Sequence, residues 1–331
     1  MYNIIVLDCT VLYNVNMKYE IIKDFEFVKE YLSINETKLS QLMNKPRSTF
    51  NYWKHNQDKV SHSSLSSFYE FTYKNDLRLN SIKEQIYKDM ENKNSKILFH
   101  GSKNKIDIPL SLAYSKVTND FGKGFYLGDN FKQSATFVSS YPNSNIYICK
   151  YKVNTNLNVI EYDLCKEWML AIAYYRNRID SYANCSIIQK IKKQVDKADL
   201  IIAPIADNNM YLIIENFIEG IITDMQCVSA LSATNLGKQY IFKTDKALKS
   251  LSILEQCFLC ESEKNDYLIE KTINNSIGMQ KAKMAQRTYA GKGKYIEELL
   301  VWENLMHVAT NLPKLKEDCL QNLLHAIMVQ V

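Results

Sequence analysis

Two short apolar runs each deliver a polar aromatic group into glycine-flanked chain. Ile97-Leu98-Phe99 leads into His100, Gly101 and Ser102, and Phe125-Tyr126-Leu127 lies between Gly122-Lys123-Gly124 and Gly128. Short apolar runs bounded by glycine and polar residues predict buried strands rather than helices. Glycine at the flanks lets backbone approach another backbone or a ligand where a side chain would collide. An imidazole and a phenol at two such strand ends suit a cleft for a planar, polar small molecule. Taken alone, a histidine at a strand end is more often a satisfied structural residue, and Tyr126 is one of 22 tyrosines. The glycines at 122, 124 and 128 miss the spacing of a dinucleotide-binding loop.

The elements that must position these groups follow from periodicity. Strands are expected at Ile146–Val153, Val159–Tyr162, Leu200–Pro204 and Gln239–Thr244, and helices over 131–140, 164–179 and 185–198. Strands and helices mix without a regular βαβ alternation, so the class is α+β. Ahead of them, Phe25–Leu32 has helical spacing. A short helix with Leu39 and Leu42 on one face ends at Asn44-Lys45-Pro46, and another begins at Arg47. Two short helices around a tight turn predict a helix-turn-helix-like module over 17–90. Arg47, Ser48, Thr49 and Asn51 are its candidate DNA contacts and Trp53 is a residue typical of phage-repressor-like domains. The alternative is a small helical module that contacts a partner protein. Residues 92–96 form a polar linker to a central domain over 96–254, and 255–331 form a helical tail.

The string LFHGS, followed by DFGKGFYLG, the YICKYKV strand, PIADNN and QYIF, resembles a bacterial family of unknown-function domains related to ADP-ribosyltransferases. The resemblance covers roughly half the chain. It implies an ADP-ribosyltransferase-like core of two packed antiparallel sheets with NAD, the substrate, bound between them. It places His100 and Tyr126 on the first two positions of the superfamily's cleft. The third, usually a glutamate, falls on Gln239. By that reading His100, Tyr126 and Gln239 are the catalytic set, and His100, Gly101, Ser102, Phe125, Tyr126 and Asp207 bind NAD. His100 holds a hydroxyl, Gly101 meets the nicotinamide amide, and Tyr126 stacks on the nicotinamide ring. Gln239 can hold a ribose hydroxyl but carries no charge. Asp120, Asp207 and Glu215 are the carboxylates available to supply one, Asp207 being preferred because it follows a strand end within the resembling motif. Gln239→Glu should then keep or raise NAD cleavage. Trp168, Arg176 and Arg178 are candidates to cap the pyrophosphate.

The activity so implied is NAD-dependent ADP-ribosyl transfer to a protein or nucleic acid with release of nicotinamide, in a toxin or phage-defence effector with an antitoxin or regulatory protein as partner. Alternatives are an NAD glycohydrolase, an inactive nucleotide-binding module and a DNA-binding regulator. A net charge of +5 does not by itself announce a nucleic-acid binder. Eight irregularly spaced cysteines without a secretory leader point to reduced thiols and a cytoplasmic protein. No run of about 18 apolar residues occurs, so no membrane partner is expected. Met17 is an alternative start. Cys257 and Cys260 form a lone CxxC whose further ligands would be His307, Cys319 and His325, too irregular for zinc, so no metal is expected. Lys281, Lys283, Arg287, Lys292 and Lys294 form a basic face ahead of an amphipathic helix at Tyr295–Thr310.

Overall fold

The computed structural model describes residues 19–206, 208–232 and 237–301. The described residues begin with α1 (Ile21–Tyr31), α2 (Glu36–Leu42), α3 (Arg47–His55), α4 (His62–Lys74) and α5 (Leu79–Lys88). The strands are β1 (Ser95–Ser102), β2 (Phe125–Gly128), β3 (Asn145–Lys152), β4 (Val159–Glu161), β5 (Leu200–Pro204), β6 (Lys238–Phe242) and β7 (Leu251–Cys257). Among and after them come α6 (Phe131–Val138), α7 (Lys166–Tyr175), α8 (Ser186–Lys197), α9 (Asn208–Ile218), α10 (Asp224–Ser232), α11 (Asp245–Leu248) and α12 (Glu261–Thr288). The fold is α+β, with helices before the first strand and a helical stretch after the last. Among the described residues no helix is long and apolar enough to cross a membrane.

The chain forms two compact units that alternate along the sequence. The first holds the residues up to Ser111, with Asn130–Val153 and Ser250–Ile269. In its helical part, Asn35 caps α2 by accepting from Lys38 N at 2.9 Å, and Asn44 turns the chain into α3 with φ of 50°. Phe25, Leu39, Phe50, Trp53, Phe68 and Tyr69 make its core, with Phe50 edge-on to Trp53 at 5.2 Å. Phe258 and Cys260, just past β7, complete that core.

Beneath these rings lies a buried ionic network. Lys83 Nζ sits 2.6 Å from Asp24 Oδ2 and 2.5 Å from Glu255 Oε1. Tyr69 donates to the same Asp24 oxygen, and Tyr87 donates to Glu255 Oε2 at 2.8 Å. Burial works against the Lys83 cation, but its anionic neighbours, Asp24 first, outweigh that and hold its pKa well above the ordinary value. The network ties α1, α4 and α5 to β7.

In this unit β3 lies between β1 and β7, antiparallel to both, with His100 opposite Tyr147 and Ser102 opposite Asn145. β7 is not among the strands expected from periodicity, and it runs through residue 254, where the central domain was expected to end. Its polar Glu255 and Gln256 are 3% and 1% exposed, so the apolar signal of a buried strand is interrupted where the strand is most buried.

The second unit holds Leu112–Asp129, Asn154–Lys249 and the chain from Glu270. Its strands run in the order β4-β5-β6-β2. β6 is antiparallel to both β5 and β2, whereas β4 and β5 pair in parallel. The purely antiparallel arrangement that the resemblance implies therefore does not hold at β4. Trp168 through Ala173 are fully buried, which makes α7 apolar on all sides, as a helix enclosed by its neighbours must be. α8 buries only the stripe Ile187, Ile188, Ile191 and Val195.

Candidate functional site

The loop before β2 carries a carboxylate, Asp120, that is only 8% exposed. Arg176, where α7 ends, grips its Oδ1 through Nε at 2.8 Å and Nη2 at 2.5 Å. The guanidinium also lies 3.9 Å above the Tyr211 ring. On the other side, Gln239 Nε2 donates to Asp120 Oδ2 at 3.1 Å and to the Pro204 carbonyl at 3.0 Å. A carboxylate and a carbonyl can only accept, so the amide nitrogen must face them. Gln239 is thereby oriented to offer its oxygen to anything else it meets.

Tyr126, two residues before the Gly128 that pairs with Gln239, reaches the same loop. Its hydroxyl accepts from Phe121 N at 3.1 Å and donates to Gly122 O at 2.7 Å. Burial pushes its pKa well above the ordinary value, so it remains a neutral phenol. The glycines around it answer local geometry. Gly122 has φ of 72°, and a Cβ on Gly124 would stand 2.4 Å from Ile241 Cγ2. Phe125 is core, 8% exposed.

Lys243 closes the loop from the end of β6. Its Nζ donates to the Phe121 carbonyl and lies 5.6 Å from the Tyr175 ring centroid. Burial pulls its pKa down from 10.5 to about 8. The unfolded chain would keep this proton up to 10.5 and the fold releases it near 8, so this group makes the fold more stable as pH rises through that window. Trace acetylation followed by peptide mass spectrometry should find Lys243 reacting with a midpoint near pH 8. A midpoint at the ordinary lysine value would remove the argument.

In the other unit, His100 is half-buried and its ring lies 6.3 Å from that of Tyr147. Of the two reasons expected for a bare Gly101, close approach to another backbone is the one seen here. A Cβ at Gly101 would stand 2.5 Å from Ser134 O and 3.0 Å from Val138 Cγ1, so its missing side chain admits α6. Ser102 ends β1 in register with Asn145.

Residues 96–253 match the model of a family described as protein of unknown function (DUF3990). No curated protein and no solved structure matches the chain. The matched stretch contains Asp120, Tyr126, Arg176, Gln239 and Lys243.

Of the three carboxylates considered from sequence, Asp120 is joined to Gln239. Glu215 instead pairs with Arg178 at 2.6 Å, and Asp207, the one preferred, lies outside the described residues. Arg176 and Arg178 are both engaged by acids, and Trp168 is fully buried in the core. The Asp120–Arg176 pair spans 56 residues and leaves no local motif, and Lys243 had no sequence signal at all.

Among the candidate DNA contacts, Arg47, Ser48 and Asn51 are exposed and Thr49 is half-buried. Lys54 on the same helix is paired with Glu36 and lies 3.9 Å from Glu26, which lowers the positive charge there. Cys257 and Cys260 are buried free thiols, and among the described residues no group of side chains is arranged to hold a metal. His307, Cys319 and His325 lie outside the described residues.

Proposed function

We propose that the protein cleaves the bond between nicotinamide and ribose in NAD and transfers ADP-ribose to a macromolecular acceptor. The observation that supports this reading is the fixed orientation of Gln239. At the position where the resemblance expects a glutamate, Asp120 and Pro204 O hold the amide so that its oxygen is presented as an acceptor. Such an oxygen can hold a ribose hydroxyl and align the sugar as the glycosidic bond breaks, and orientation of this kind supplies a large part of many rate enhancements. Arg176 neutralises Asp120, so little net negative charge is left to deprotonate an acceptor. Nucleobase nitrogens, which need less activation than an arginine side chain, fit that environment better.

The test is nicotinamide release, followed chromatographically with the purified full chain, NAD, and nucleic acid or protein as acceptor. Wild type should release nicotinamide, and Gln239→Ala should do so about 10–1,000-fold more slowly, the range for a lost positioning hydrogen bond. No release with any acceptor, or an unaltered rate in Gln239→Ala, overturns the proposal.

A further inference from the structure

In the first unit, a cavity of about 350 Å³ opens between the start of α4, the segment after β1 and the turn before β3. That volume falls in the roughly 300–1,000 Å³ range of small-molecule sites. Its lining includes Tyr19, His62, Lys103, Lys105, Ser144 and Asn145, and no carboxylate lines it among the described residues. Lys103 and Lys105 are exposed cations, and Lys103 is steadied by the Tyr141 ring, 3.9 Å below its Nζ.

The floor is built from polar groups most of which are already committed, the Ser144 hydroxyl and Gln256 Oε1 being the exceptions. Asn145 Oδ1 accepts from Tyr19 OH at 2.8 Å and from Gln256 Nε2 at 2.7 Å, while its Nδ2 donates to Asn143 O at 2.9 Å. Ser144 beside it is 6% exposed, and its Oγ has no hydrogen-bond partner among the described residues. A buried hydroxyl left unpaired is costly and calls for an explanation, and a ligand that occupies the cavity supplies one. Two aromatic walls stand over this floor. Tyr19 and His62 both brace against the buried Phe258, at 5.5 Å and 5.1 Å between ring centroids.

We infer that this cavity binds a nucleoside monophosphate, with Lys103, Lys105 and the Ser144 hydroxyl on the phosphate and the rings of Tyr19 and His62 beside the base. The site lies within the first unit, which also holds His100, Gly101 and Ser102 of the NAD reading, whereas Asp120 and Gln239 belong to the second.

Calorimetric titration of the full chain with AMP, UMP, adenosine, ribose 5-phosphate and inorganic phosphate tests it. The monophosphates should bind at least tenfold more tightly than adenosine, and more tightly than ribose 5-phosphate or inorganic phosphate. The Lys103→Ala/Lys105→Ala variant should lose about tenfold or more, the effect of one to two charge-assisted hydrogen bonds. Both lysines are exposed, so the variant should fold as wild type does. Ser144→Ala should weaken binding without lowering the melting temperature of the unliganded protein. Absence of monophosphate binding at millimolar concentration overturns the inference, as does equal affinity for adenosine. So does affinity that ignores the lysine substitutions, or that is lost in Gln239→Ala, which would place the binding in the second unit.

Discussion

Gln239→Glu should lower NAD cleavage by about 10²–10³-fold, the size of effect seen when a single oriented hydrogen-bonding group is lost from a reaction centre. From sequence the opposite result is expected, because glutamate is the usual residue at this position. The structure reverses the sign. Gln239 spends its amide hydrogens on Asp120 Oδ2 and Pro204 O, and a carboxylate there would have none to give. It would also place a second negative oxygen about 3.1 Å from the first in a site where both residues are under a tenth exposed. Like charges at that range cannot both ionise without large cost. Adding Asp120→Asn to Gln239→Glu should recover part of the rate, since the asparagine nitrogen can donate to the new carboxylate while its oxygen still faces Arg176. A Gln239→Glu enzyme as fast as wild type would mean that the contact with Asp120 has no part in the reaction. Nicotinamide release by the single and double variants decides the matter.

Lys83→Met should destabilise the first unit by about 3–5 kcal/mol, the usual consequence of removing one partner from a buried ion pair. Asp24 and Glu255 would be left facing each other across the space the ammonium held, at 4% and 1% side-chain exposure. Lost attraction is the smaller part of that cost, and the uncompensated buried charge is the larger. The triple change Lys83→Met, Asp24→Asn and Glu255→Gln should therefore be far milder than Lys83→Met alone. Urea unfolding monitored by tryptophan fluorescence, with Trp53 in the affected core, measures both. If the single variant lost less than about 1 kcal/mol, the network would have to be solvated, against its burial.

The local elements were legible because their signals are local. Ile97–Phe99 and Phe125–Leu127 lie in strands, α8 shows its apolar stripe, and the turn at Asn44 separates two short helices where the chain chemistry places it. Gly122 and Gly124 could be picked out from sequence as special, because positive φ and close approach both select glycine. Which backbone Gly101 admits was not readable, since the atom it approaches belongs to Ser134 on a helix formed later in the chain.

What only the tertiary structure decided was which polar groups meet. β7 escaped notice because its most buried positions include Glu255 and Gln256, whose partners come from α5, α1 and β3. Asp120 was one of three candidate carboxylates in sequence, and Asp207 was preferred to it. Asp120 became the partner of Gln239 only when β6 and the loop before β2 were brought together across 119 residues. Apolar patterning repeats along the chain at the period of its own helix or strand, so a single sequence displays it. A hydrogen bond or ion pair between distant residues has no period, and only the fold brings its two ends together.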